Sequence, residues 1–304
     1  MVRRLFYKVA GLVFGVELRD DTPWETRLAA YNPFTCPASE DLLFTLSFIP
    51  VDDSPISHDW WTLLLEDTFK GVVTAVYTGG DGYYHYVLRL ERKAGMMASV
   101  DFNMDFTDVK CKVHGDAQFQ LFALNNALML MYALTGCAKE ALLFHASVIK
   151  HDGKGLLFVG KSGTGKSTHS KLWLNYVEGS ELLNDDNPVV RIVDNVAWVF
   201  GSPWSGKTPC YKNEGVPVGG IVSLRQAAVN EVERLSVVRA YGVLLTSVSN
   251  MRWEKKCADA VDAVIHKLIA TTSVFCLKNR PEKEAADMCL SALDKDSWVK
   301  SMHI

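Results

Sequence analysis

Apolar and polar positions alternate along the first third of the chain. "FYKVAGLVFGVEL", "LLFTLSFIP", "GVVTAVYTG" and "YYHYVLRLER" are short runs rich in β-branched and aromatic residues. Each predicts a strand, because a period of two turns one side of a pleated ribbon to a core and the other to water. Clusters of turn formers, "VDDSPISHD" and "TGGDG", separate the runs. From Asp116 the pattern changes. "DAQFQLFALNNALMLMYALTG" is apolar on most helical faces, opens on an aspartate able to cap it and ends at Gly136, which predicts a buried helix. This change divides the chain into a β-rich part, residues 1–115, and a second part, residues 116–304.

In the second part "ALLFHASVIKHDGKGLLFVG" predicts two strands joined by a "HDGKG" hairpin turn. A glycine-rich turn and a helix to about Val177 follow, then a strand in "ELLNDDNPVVRIVDNVAWVF" interrupted by acidic and proline positions. A loop over 201–220 leads to the strand "GIVSLRQ". Helices are expected near 240–246 and 257–271, then the strand "SVFCLKN" and a last helix from 281. Strands alternating with helices predict an α/β fold here, and α+β for the chain as a whole.

Composition changes this picture little. At 304 residues, 48% hydrophobic and 22% charged, the chain can bury a substantial core. A net charge of −3 with no basic tail gives no footing to a nucleic-acid partner. The seven cysteines are scattered singly without a C-x-x-C pair, the pattern of reduced thiols rather than of a metal or disulfide framework. The N-terminal "MVRRLFYKVAGLVFGVEL" is broken by Lys8 and Glu17, with no small-residue cleavage site after it, so it predicts a strand and not a signal peptide. No uninterrupted apolar stretch reaches the roughly 18 residues of a membrane span. The expectation is a cytoplasmic protein with no membrane partner, and a homo-oligomer is left open.

The chemistry begins at "LLFVGKSGTGKSTHSKLW". Gly160, Lys161, Ser162, Gly163, Thr164, Gly165, Lys166 and Ser167 fit G-x-x-x-x-G-K-[ST], and Thr168 continues into the helix. In such a phosphate-binding loop the glycines let backbone N–H groups curl around phosphate oxygens. The lysine neutralises those oxygens, and the serine hydroxyl binds Mg²⁺. The apolar strand before it and the helix after it are the required context. Residues 201–208, "GSPWSGKT", fit the same pattern, but Pro203 and Pro209 bar a helix, so this match is a loop. About twenty residues beyond Lys166, "ELLNDDN" places Asp185 and Asp186 after an apolar run. A carboxylate there can hold Mg²⁺ or accept a proton, and two adjacent carboxylates need compensating charge.

Together these residues resemble the catalytic domain of the HPr kinase/phosphorylase family, whose nucleotide-binding core is similar to that of phosphoenolpyruvate carboxykinases. The resemblance runs well over residues 142–226, loosely over the rest of the C-terminal half, and not over 1–115. By it, His145 in "LLFHASVI" stands ahead of the loop at the family's spacing, Lys166 is the loop lysine and Ser167 the magnesium-binding serine. Asp186 is the proton acceptor of the kinase direction, with Asp185 as its neighbour at the metal. The "GSPWSGK" loop looks like that of shorter HPr-kinase-like proteins, some encoded near peptide-modification systems. The family's further metal-binding glutamate has no counterpart in "VAWVFG". The resemblance implies an ATP- and Mg²⁺-dependent kinase acting on a serine-type hydroxyl of an unidentified protein, peptide or small molecule. Lys207, on a loop expected to reach across the nucleotide, is a candidate contact to the γ-phosphate or the acceptor. The other reading is a nucleotide-binding sensor or slow ATPase with no phosphoryl acceptor.

Overall fold

The computed structural model describes residues 2–19, 22–51, 61–79, 82–93, 95–251 and 254–301, with side chains to Lys295. The expected "VDDSPISHD" turn, apart from Val51, and the centre of the expected "TGGDG" turn lie outside the described residues. Two compact units divide the chain, Met1–Thr135 and Gly136–Ile304.

The first unit comprises β1 (Arg3–Val9), β2 (Leu12–Leu18), the short helix α1 (Trp24–Arg27), a 3₁₀ segment (Ala29–Phe34), β3 (Thr45–Pro50), β4 (Thr62–Phe69), β5 (Val72–Thr78), β6 (Tyr83–Leu90), β7 (Met97–Asn103), β8 (Val109–His114) and α2 (Ala117–Gly136). Its strands form one sheet in the order β1-β2-β3-β8-β7-β6-β5-β4. The single run "FYKVAGLVFGVEL" is two strands, because Ala10 and Gly11 both take positive φ (49° and 79°) and close a two-residue hairpin. Lys70 and Gly71, at 51° and 79°, do the same between β4 and β5.

The cap expected for α2 is present: Asp116 Oδ1 accepts the Phe119 N–H at 2.8 Å. The helix packs with the strands before it. Tyr132 donates its hydroxyl to Val9 O at 3.0 Å and Tyr31 donates to Asn125 Oδ1 at 2.8 Å. The division between units therefore follows α2 instead of preceding it near residue 115. By length and composition alone Ala117–Lys139 could cross a bilayer, but 61% of its most apolar window is buried in the protein, as in a core helix.

The second unit comprises β9 (Ala141–Leu143), β10 (Ala146–His151), β11 (Lys154–Val159), α3 (Lys166–Tyr176), β12 (Glu181–Asn184), β13 (Val189–Val193), β14 (Val196–Phe200), β15 (Gly215–Gln226), β16 (Glu231–Arg234), α4 (Val237–Ser247), α5 (Lys255–Thr271), β17 (Val274–Asn279) and α6 (Lys283–Ser301). Its sheet runs β12-β10-β11-β15-β14-β13-β9, with β17 added on β15 and β16 on β17. The parallel strands β11, β15 and β17 form its centre. Strand β15 starts at Gly215, earlier than expected, because residues 215–217 pair with β14 before the chain moves on to β11 and β17. A layered mixed α/β protein results.

One side of the central strands carries Phe158, Val222, Leu224, Phe275 and Leu277, packed with Trp173 of α3 and with Ala286, Cys289 and Leu293 of α6. Within that core His169 is fully buried. It accepts the Trp173 indole N–H on Nε2 at 3.1 Å and meets the Phe158 ring edge-on at 4.6 Å. Burial pushes its pKa down from 6.5 to about 4. The unfolded chain therefore binds a proton first as pH falls. The stabilisation is complete above about pH 6.5 and is lost toward pH 4, by about 2–3 kcal/mol at pH 4.5. Urea unfolding at pH 7 and pH 4.5 should show that extra loss in the wild type and not in His169→Gln. The same pH dependence in both proteins would contradict the assignment.

Candidate functional site

Strand β11 runs directly into the glycine-rich loop, and α3 opens at Lys166. Gly160, Gly163 and Gly165 take φ of 146°, 86° and 102°. A Cβ on Gly160 would lie 2.8 Å from Thr164 Oγ1 and 3.2 Å from Leu224 O, so the tight first corner requires glycine. The N–H and hydroxyl of Thr164 both donate to Lys161 O, at 3.2 and 2.9 Å. Gln226 at the end of β15 donates to Gly163 O at 3.1 Å and ties the loop to the neighbouring strand.

The helix end that results is polar and positive. Its N-cap is Gly165, which offers no side-chain oxygen, and no acidic residue sits in the first turn. The first N–H groups and the helix dipole therefore face the loop without an anionic partner from the helix itself. Lys166 is 9% exposed and donates to Gly160 O at 2.9 Å. Burial lowers its pKa, and the charges of Asp186 and then Asp185 oppose that shift. Ser167 and Thr168 are exposed on the first turn, as are Lys161, Ser162 and Gly163 on the loop.

The two aspartates follow β12 and differ in setting. Asp185 is 5% exposed. Its Oδ1 accepts the Ser147 hydroxyl at 3.2 Å, and its Oδ2 accepts the Thr208 N–H at 3.3 Å. Ser147 also lies 2.7 Å from the Ser170 hydroxyl of α3, which links β10, α3 and the acid. Asp186 has a side chain 34% exposed, with Oδ1 3.2 Å from His145 Nδ1. Asn187 Nδ2 donates to Asp186 Oδ2 at 2.9 Å.

His145 is not in a strand. The apolar run "ALLFHASVI" breaks there, because β9 pairs with β13 at one side of the sheet while β10 pairs with β11 and β12. At the break the His145 N–H donates to Ser247 O at 2.8 Å and the Ala146 N–H to Asp186 O at 2.9 Å. The interruption sets the imidazole beside the carboxylate.

The loop over 201–214 is hydrogen-bonded against the acid pair. Ser202 Oγ donates to Asn187 O at 2.6 Å and accepts from Asn184 Nδ2 and the Trp204 N–H, each at 3.2 Å. Trp204, expected on a flexible loop, is buried at 2% exposure. A Cβ on Gly201 would stand 2.0 Å from Lys212 O, and one on Gly206 would stand 3.1 Å from Asp186 Cβ. Lys207 is exposed, between Gly206 against Asp186 and Thr208 bonded to Asp185.

Lys166, Asp185, Asp186 and His145 thus gather at one end of β10 and β11. Among the described residues no group of three or more His, Cys, Asp or Glu is close enough to hold a metal. Ser167 and the two carboxylates are oxygen donors that could hold Mg²⁺ if water and phosphate oxygens filled the remaining positions. Ser147, Ser170 and Thr208, which fix Asp185, were missed by sequence reasoning. A serine inside the apolar strand "ASVI" was the available signal for the first of them.

The contrast between the acids is measurable in stability. Asp185→Ala leaves the Thr208 N–H without its acceptor and the Ser147 hydroxyl with Ser170 alone, and should lower the unfolding free energy by about 1–3 kcal/mol. Asp186→Ala removes a partly solvated group and should cost less than about 1 kcal/mol. Chemical denaturation of both variants decides it, and equal losses would contradict the division.

No family model matches this chain, and no curated protein matches it. Among solved structures, the Hpr(Ser) kinase/phosphatase from Coxiella burnetii is similar over 53% of this chain and 98% of that one, at 13% identity and a TM-score of 0.30. At that level the likeness is distant and says nothing of activity.

Proposed function

We propose that this chain is an ATP-dependent, Mg²⁺-requiring kinase that moves the γ-phosphoryl group to a serine-type hydroxyl on a protein, peptide or small molecule. The observation that carries the proposal is the partly exposed Asp186–His145 pair, 3.2 Å apart, at the strand end beside a helix N-terminus with a buried lysine. When bound, Mg·ATP supplies the activated phosphoryl group, and the metal neutralises part of its charge.

The residues then divide the work. The N–H groups of residues 160–167 and the α3 dipole bind phosphate oxygens. Lys166 donates to those oxygens in place of Gly160 O, the acceptor it uses in this structure. Ser167 and the acid pair hold Mg²⁺. Asp186 takes the proton of the attacking hydroxyl, and His145 fixes the rotamer of that carboxylate through its ring nitrogen. Asp185 holds the 201–214 loop through Thr208. The role assigned to Lys207, whose neighbours Gly206 and Thr208 lie against the acid pair, is to contact the γ-phosphate or the acceptor.

The test measures transfer from γ-labelled ATP to a library of serine peptides. Asp186→Asn keeps one oxygen donor, so it should leave nucleotide binding largely intact and transfer roughly 10²–10⁴-fold more slowly, the span of a positioned general base. Lys207→Ala should lower kcat by about tenfold or more with little change in ATP affinity. Transfer at the wild-type rate by Asp186→Asn would remove the base assignment. ATP turnover with no labelled peptide would favour a slow ATPase.

A further inference from the structure

On the side of the central strands away from α3, a cavity of about 280 Å³ lies between α4 and the strand ends. Ser223 and Arg225 of β15, Cys276 of β17, and Arg239, Val243 and Thr246 of α4 line it. Ser223 stands in register with Val159, the residue just before Gly160. Thr246, also on its lining, precedes Ser247, whose carbonyl holds the His145 N–H. The cavity thus opens beside the site without belonging to it.

Its charge is unbalanced. Arg239 is held by Glu233 in two bonds of 3.0 and 2.6 Å, and Lys278 by Glu231 at 2.8 Å. Arg225, in register with Lys278, is exposed and makes no ion pair among the described residues. Its charge adds to those of Arg239 and Lys278 around Glu233, leaving three cations to two carboxylates. An exposed guanidinium with no carboxylate at ion-pair distance, lining a polar cavity, suits a carboxylate, which it can grip with two parallel N–H groups.

Distance selects the kind of acceptor. From Arg239 to Ser247 the helix rises eight residues, or about 12 Å. A small hydroxy acid, with carboxylate and hydroxyl only a few bonds apart, is too short to occupy both ends. An extended peptide covers that span in three to four residues.

We infer that this cavity is the specificity subsite for the phosphoryl acceptor, and that it takes the carboxylate of an acidic residue three or four positions from the phosphorylated serine of a peptide. This rests on the kinase reading above. Arg225 is the principal ligand, and Arg239 and Thr246 border the path toward Asp186.

The test uses the full chain and immobilised peptides carrying one serine, with aspartate or asparagine walked through five positions on either side. Binding is measured without nucleotide, and transfer in parallel with Mg·ATP. Aspartate three or four positions from the serine should bind about tenfold or more tightly than asparagine there. Arg225→Ala should remove the difference, and Arg225→Glu should shift the preference to a lysine at that position, both with Mg·ATP affinity unchanged. Equal binding of aspartate and asparagine peptides at every position overturns the inference. Loss of Mg·ATP affinity in Arg225→Ala also overturns it, since the cavity would then serve the nucleotide. Position-dependent aspartate binding without transfer to any peptide supports the subsite and overturns the kinase reading.

Discussion

Helix α3 begins with no side-chain cap, no acid in its first turn and a buried lysine. Positive helix dipole and positive side chain occupy the same corner, an arrangement that costs free energy until negative charge arrives. Much of the second unit serves to hold that corner in place. Gly160 permits the sharp exit from β11, Gln226 ties the loop to β15, and Trp173 and His169 anchor the helix beneath it in the apolar core. Asp186 and Asp185 supply part of the compensation from across the gap. An anionic ligand with several oxygens would complete it.

The acid pair shows how two adjacent, identical side chains acquire different roles. Asp185 turns inward, where Ser147 and the Thr208 N–H occupy it, and so becomes the post on which the 201–214 loop is hung. Asp186 turns outward to His145 and solvent. An exposed carboxylate can exchange a proton with an incoming group, and a buried one with a hydrogen bond on each oxygen cannot do so without breaking its support. The His145 break and the pinned loop serve the same end, since each fixes a position near Asp186 by backbone hydrogen bonds.

How much of this was legible in the sequence depends on the range of the forces involved. The glycine-rich turn, the α2 cap and the "HDGKG" hairpin are local, and they stand where the residues said they would. Strand β4 escaped because all eight of its residues are exposed, which leaves no alternation to detect. Strand β7 escaped because it buries Ser99 and Asp101, an acid made tolerable by His85 and by Lys112 on the next strand. The even apolar surface of α2 says that the helix is buried but not against what, so the division between units was set too early. Likewise "LLFHASVI" is apolar on both sides of His145, and only the pairing of β9 with a distant strand reveals the break. The burial of Trp204 depends on a serine and two asparagines brought together by the fold.

The claim that the loop before α3 holds the phosphates of a nucleotide is tested most directly by calorimetric titration of the full chain and of Lys166→Ala with Mg·ATP and with AMP. A site built around the α3 N-terminus predicts that the wild type binds Mg·ATP about tenfold or more tightly than AMP. It also predicts that Lys166→Ala loses most of that preference while unfolding normally. Equal affinity of the wild type for Mg·ATP and AMP, or an unchanged preference in Lys166→Ala, would contradict it.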